Sequence, residues 1–123
     1  MRVFTVIAIG LALTTGGSFA REPGSFKKEV LPILEAHCFK CHGPENQESG
    51  LRLDSRAAML SGGDFGPAIV PGDAAKSFLV EVVTTDDTDI QMPPEGTRQS
   101  SKQEAILTNW IEDGAVLPGQ MDI

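Results

Sequence analysis

Residues 30–43 read Val30-Leu31-Pro32-Ile33-Leu34-Glu35-Ala36-His37-Cys38-Phe39-Lys40-Cys41-His42-Gly43, and they hold both cysteines of the chain. On a helical turn, residues three apart share a side, so the thiols of Cys38 and Cys41 line up along one edge. The adjacent His42 then turns its imidazole towards the same space. Two thiols three apart followed at once by a histidine form the Cys-x-x-Cys-His signature of covalent c-type haem attachment. In that role the cysteines bond the vinyl groups of one haem c, and the histidine is the proximal iron ligand.

Three other uses of the pair are weaker. A bridge across two intervening residues closes a very small loop and adds little through chain entropy. A thioredoxin-like Cys-x-x-Cys requires a βαβ setting, whereas here an apolar helical pattern precedes it with no strand before that. Zinc requires four well-spread ligands, and His37, Cys38, Cys41 and His42 crowd into six residues without a second cluster.

An electron-carrying haem also needs a distal ligand. Outside residues 1–20 the candidates are His37, Met59, Met92 and Met121. His37 lies too close in sequence to His42 to reach the other face of the macrocycle, and reads as a solvent-facing histidine favoured by the helix C-terminus. Met59 sits on an expected helix and reads as core filler, and Met121 lies in the terminal tail. Met92 belongs to Gln91-Met92-Pro93-Pro94, where two prolines stiffen the backbone into a loop that presents the thioether. His42 and Met92 are therefore the expected iron ligands, with an open sixth site as the alternative.

Outward from the motif, Phe26, Val30, Ile33 and Leu34 recur at helical spacing up to about Ala36. Pro32 fits best in a first turn, which places the regular helix from near Glu29. At the other end, Ser101 with Glu104 reads as a capping box. Ile106, Leu107, Trp110 and Ile111 form one apolar face, and Gly114 ends that helix. Between them, Gly43-Pro44, Gly62-Gly63, Gly66-Pro67, Pro71-Gly72 and the Pro93-Pro94 turn cut the chain into short pieces. Asp54 or Ser55 would cap a helix ending at Gly62, and Asp73 one reaching about Val83, unless the Val-rich end is a strand. No alternation is long enough to argue for a sheet, so the fold class is all-α.

Met1-Arg2, the apolar run Val3 to Leu13 and the small residues Ser18 and Ala20 have the three-part layout of a secretory signal peptide. The run falls short of the roughly 20 residues that span a bilayer. The expected organisation is a signal peptide at 1–20, a leader at 21–25, a monohaem domain at 26–117 and a tail at 118–123. The product is exported to the periplasm or another extracytoplasmic compartment, without a stable membrane anchor.

The 123-residue chain is one domain in length. With 10 Lys+Arg against 17 Asp+Glu, its net charge of −7 excludes a simple nucleic-acid binder. It has one Trp, no Tyr and six Phe, two of them in residues 1–20. Such a thin core gains from enclosing a macrocycle.

Taken together, Val30-Leu31-Pro32-Ile33-Leu34, Cys38-Phe39-Lys40-Cys41-His42-Gly43, Gly50-Leu51-Arg52-Leu53-Asp54-Ser55-Arg56, Gly62 to Gly72, Met92-Pro93-Pro94 and Trp110 to Ala115 resemble the planctomycete-type cytochrome c domain. That family is a variant of the class I cytochrome c fold. The resemblance implies a small all-α shell with long Gly/Pro-rich loops. Its first and last helices cross near one haem edge, with Trp110 in or beside the crossing. It also implies thioethers at Cys38 and Cys41, His42 as proximal ligand and Met92 as distal ligand. Such domains usually begin much longer proteins, whereas this chain stops soon after Gly114; it is expected to be either a free-standing carrier or a clipped piece, and the signal segment favours the former.

The expected function is one-electron transfer between partner proteins, without enzymatic activity. The alternatives are a haem with an open distal site, serving small-ligand sensing or peroxidase-like chemistry, and a subunit of a larger oxidoreductase. Arg52 and Arg56 are candidates for pairing with haem propionates, or they face solvent. Asp86, Asp87 and Asp89 lack the spacing of a calcium loop. As a charged surface they would steer a redox partner with a basic docking patch.

Overall fold

The computed structural model describes residues 25–118, together with Gly10. The expected signal peptide, most of the leader and most of the tail, with Met121, lie outside the described residues. Among the described residues four α-helices order the chain: α1 (Leu31–His37), α2 (Arg56–Ser61), α3 (Phe78–Thr84) and α4 (Ser101–Glu112). Single 3-10 turns occur at Glu48–Gly50 and Ala74–Lys76. Among the described residues there is no strand, only the isolated bridges His42 to Gln47 and Gly63 to Gly66. No described helix is long and apolar enough to cross a membrane.

The first helix begins in an unexpected way. Phe26–Val30 form a π-helical turn that runs directly into α1, with the Leu31 N–H donating to the Phe26 carbonyl. Pro32 falls in the first turn of α1, directly after the π-turn, and as a proline it donates no N–H to the turn before it. Phe26, Val30, Ile33 and Leu34 are buried.

The α4 cap lies one residue earlier than its sequence suggests. Ser100 Oγ accepts from the Gln103 N–H at 3.2 Å, and Gln103 Oε1 accepts from the Ser100 N–H at 2.8 Å. Ser100-Ser101 and Gln103-Glu104 offer the same box in two frames. Ser100 takes the extended backbone that a cap requires, so Glu104 is left as a first-turn carboxylate facing the positive end of the helix.

The far end of α4 closes as expected at Gly114, whose φ of 105° is the left-handed turn that glycine adopts freely. Gly114 N–H donates to Ile111 O at 3.0 Å and Ala115 N–H to Trp110 O at 2.8 Å, the paired bonds of a Schellman motif. Trp110 thereby sits under the turn, with its indole N–H on Val116 O at 3.0 Å and its ring 5.5 Å from that of Phe26. This aromatic contact joins the first and last helical segments.

Between these ends, Ser55 rather than Asp54 caps α2, accepting from the Ala58 N–H at 3.0 Å. The expected helix from Asp73 to Val83 is two elements. Asp73 caps only the turn Ala74–Lys76, and α3 starts after Ser77. Ser77 is fully buried, and its hydroxyl accepts from Val70 N–H at 2.9 Å and donates to Asp73 O at 2.9 Å. Those bonds hold the backbone at Ser77 extended and break the helix there. The Val-rich end is helical, with Leu79, Val82 and Val83 buried, because tertiary burial outweighs the small penalty on β-branched residues.

Candidate functional site

Cys38 to His42 form one tight turn continuing from α1. Cys38 N–H donates to Leu34 O at 2.9 Å and His42 N–H to Cys38 O at 2.9 Å. That turn points Cys38, Cys41 and His42 into an apolar cavity of about 180 Å³. Leu53, Ala68 and the α3 residues Leu79, Val82 and Val83 form further walls, and Ile90, Met92, Pro93 and Pro94 contribute a loop side. Four expected site residues from two distant stretches of chain thus line a single cavity.

Each is held by a backbone arrangement that can be traced. His42 Nδ1 lies 3.3 Å from Leu51 O, and Leu53 N–H donates to His42 O at 2.9 Å. A carbonyl only accepts, so Nδ1 carries the proton of this contact and Nε2 keeps its lone pair for a metal. The segment Leu51 to Leu53 thus fixes the ring's tautomer and its backbone together. The cysteines are free thiols rather than a disulfide. Burial, with a smaller contribution from Cys41, pushes the Cys38 thiol up to about 12. At neutral pH it is therefore a protonated thiol.

Met92 is half-buried against the core, follows the acidic loop and precedes a cis bond to Pro93. Its N–H donates to Val82 O at 2.8 Å, and its carbonyl accepts from Gln99 Nε2 at 3.0 Å. Met59 is fully buried in the core, as its helical position suggested. His37 departs from its solvent-facing reading. It is half-buried at the cavity wall, with Nδ1 3.0 Å from Thr97 O, and so ties α1 to the chain beyond Met92.

The two arginines have partners within the chain. Arg52 Nε donates to Asp54 Oδ1 at 2.8 Å, and its Nη2 bonds the other carboxylate oxygen. Arg56 Nε donates to Ala115 O at 3.2 Å, fastening α2 to the end of α4. Asp54 is 3% exposed, and the Arg52 hydrogen bonds hold its carboxyl below the usual range. Of the acidic run, Asp86 is fully exposed and lies 3.7 Å from Arg98. Asp87 Oδ1 accepts from the Asp89 N–H at 3.0 Å, and Asp89 reaches the cavity rim.

The glycine pair has a steric cause. Gly62, at φ 71°, approaches the Gly66 carbonyl so closely that a Cβ would collide with it. The resulting wrap brings Gly63, Asp64 and Phe65 to the cavity, where Phe65 is 76% exposed and stands 6.2 Å from Phe78. Phe65, Gln99 and the Leu51 carbonyl are parts of the site that sequence reading missed. Only Phe65, an aromatic between glycines, carries a local signal.

An apolar cavity with two thiols three apart, an imidazole with a free nitrogen and a thioether suits haem c. The donor set defines a small helical haem c protein. Residues 38–96 match the family model described as Planctomycete cytochrome C. Residues 38–96 therefore form a planctomycete-type cytochrome c domain, and such a domain implies covalently bound haem. The matched span starts at Cys38, so the helices joined by Phe26 and Trp110 flank it. No curated protein and no solved structure matches the chain.

The Arg52–Asp54 pair yields a pH test. Asp54 has a folded pKa below its unfolded value, so its ionised form stabilises the fold fully above the ordinary carboxylate range, near pH 4. That contribution disappears as pH falls through the lowered folded value. Arg52→Met should cost about 1–2 kcal/mol in denaturant unfolding at pH 7, discounted for the exposed Arg52 side. The difference from wild type should shrink towards pH 3, and a difference that stays constant with pH would contradict the pairing.

Proposed function

We propose that the protein is an exported one-electron carrier in which Cys38 and Cys41 hold one haem c through thioethers. His42 Nε2 and Met92 Sδ are its axial ligands, within a class I-type shell. The single observation that carries this reading is the convergence of His42 and Met92 on one apolar cavity, with the His42 Nδ1 proton directed at Leu51 O. When bound, haem supplies the one-electron iron couple.

The protein's own residues do the rest. The Leu51 carbonyl orients His42 and raises its basicity as a ligand. Met92 offers a soft sulfur that favours ferrous iron and a high potential. Leu53, Ala68, Val82 and Val83 exclude water, which lowers the reorganisation accompanying a change of charge. Asp89 at the cavity rim, with Asp86 and Asp87 in the same stretch of chain, gives the redox face a negative field that suits a basic partner.

Met92→Ala should lower the reduction potential by on the order of 100 mV, about 2.3 kcal/mol at about 59 mV per tenfold, and expose the iron to added ligands. Voltammetry and absorption spectra of the holoprotein check this, and an unchanged potential would remove Met92 from the iron. Replacing Asp86, Asp87 and Asp89 by Asn should slow electron exchange with hexaammineruthenium(III), a cationic probe, by several-fold at low salt. The effect should vanish once ionic strength reaches roughly 1 M, where the Debye length is about 3 Å. Equal rates at low salt would show that the run is plain surface.

A further inference from the structure

Gln99 is 6% exposed and lines the cavity, far from any catalytic motif. Its Nε2 donates to two carbonyls at once, Val83 O at 2.8 Å and Met92 O at 3.0 Å. Because both neighbours are acceptors, only the NH2 end fits there, and Oε1 is left buried without a hydrogen-bond partner. A buried amide oriented this way carries a cost, so it stands where its two bonds matter.

Those bonds join two pieces of the site. Val83 belongs to the last turn of α3, where carbonyls lack intrahelical donors. The neighbouring Val82 O takes the Met92 N–H at 2.8 Å, so Met92 is held at both its N–H and its carbonyl. Arg98 strengthens the same seam, its Nη2 donating to Val83 O and Thr85 O at 2.9 Å each.

We propose that Gln99 is a positioning residue that clamps Met92 onto the end of α3 and thereby holds the sulfur in place as an iron ligand. This rests on the reading of Met92 as the distal ligand. An exogenous ligand reaches the iron only by displacing Met92, so its affinity reports how firmly the loop is held.

The test uses the holoprotein in wild-type, Gln99→Leu, Gln99→Glu and Leu117→Ala forms. Leu117 is a buried core residue away from the cavity, so Leu117→Ala controls for general loss of stability. Imidazole affinity of the ferric form is measured alongside the sulfur-to-iron charge-transfer band and denaturant unfolding. Gln99→Leu should bind imidazole about tenfold more tightly, about 1.4 kcal/mol, and Leu117→Ala should match wild type. Gln99→Glu keeps the shape but offers a carboxylate with no N–H, so it should shift in the same direction, and it serves if the Leu form does not fold.

Wild type with a thioether band but no tightening in the Gln99 variants would overturn the clamp alone. Equal tightening in Leu117→Ala would overturn it as mere destabilisation. A wild type without the band would overturn the Met92 reading, and the clamp with it.

Discussion

Three of the four α-helices among the described residues have only six or seven residues, so more of their backbone groups sit at helix ends than in the middle. Every such end must find donors or acceptors from elsewhere in the chain, and the site is assembled from those outside partners. The end of α3 takes Met92 N–H, the Gln99 amide and the Arg98 guanidinium. The end of α4 takes Gly72 N–H at Ile111 O at 2.8 Å, and its closing turn takes Arg56. In a protein with so few large side chains, backbone satisfaction does much of what a thick core does elsewhere.

The same economy explains where the cavity lies. The chain can enclose apolar walls on the α3 side and on the Cys38 to His42 turn. Among the described residues only Phe26 and Trp110 are a fully buried large-ring pair, and that pair sits where the first and last described helical segments meet. In the proposed reading covalent haem acts as interior as much as cofactor: two thioethers would convert a loose hydrophobe into part of the core. On that reading, carrying electrons would require little beyond a fixed imidazole, a fixed sulfur and dry walls.

What could be read in the sequence was whatever side chains announce themselves. Cys38, Cys41 and His42 form a local motif, and Met92 emerged by elimination followed by two prolines; all four line one cavity. The α4 cap slipped by one residue because Ser100-Ser101 and Gln103-Glu104 carry the same signal twice. The break at Ser77, the turn of His37 towards Thr97 and the Gln99 clamp were hidden for a common reason. Their partners are backbone carbonyls or amides, and a backbone group has no residue-type signature. The Arg52–Asp54 contact was hidden for another reason: at a spacing of two positions the sequence does not show that the two side chains meet.

The central claim is that Cys38 and Cys41 carry one haem, and peptide-level mass spectrometry of the protein produced with its haem-attachment machinery tests it most directly. The account expects one peptide spanning residues 38–42 to bear the mass of a single haem, lost as one unit in Cys38→Ala/Cys41→Ala. A peptide with two free thiols, or with a disulfide and no haem, would contradict it.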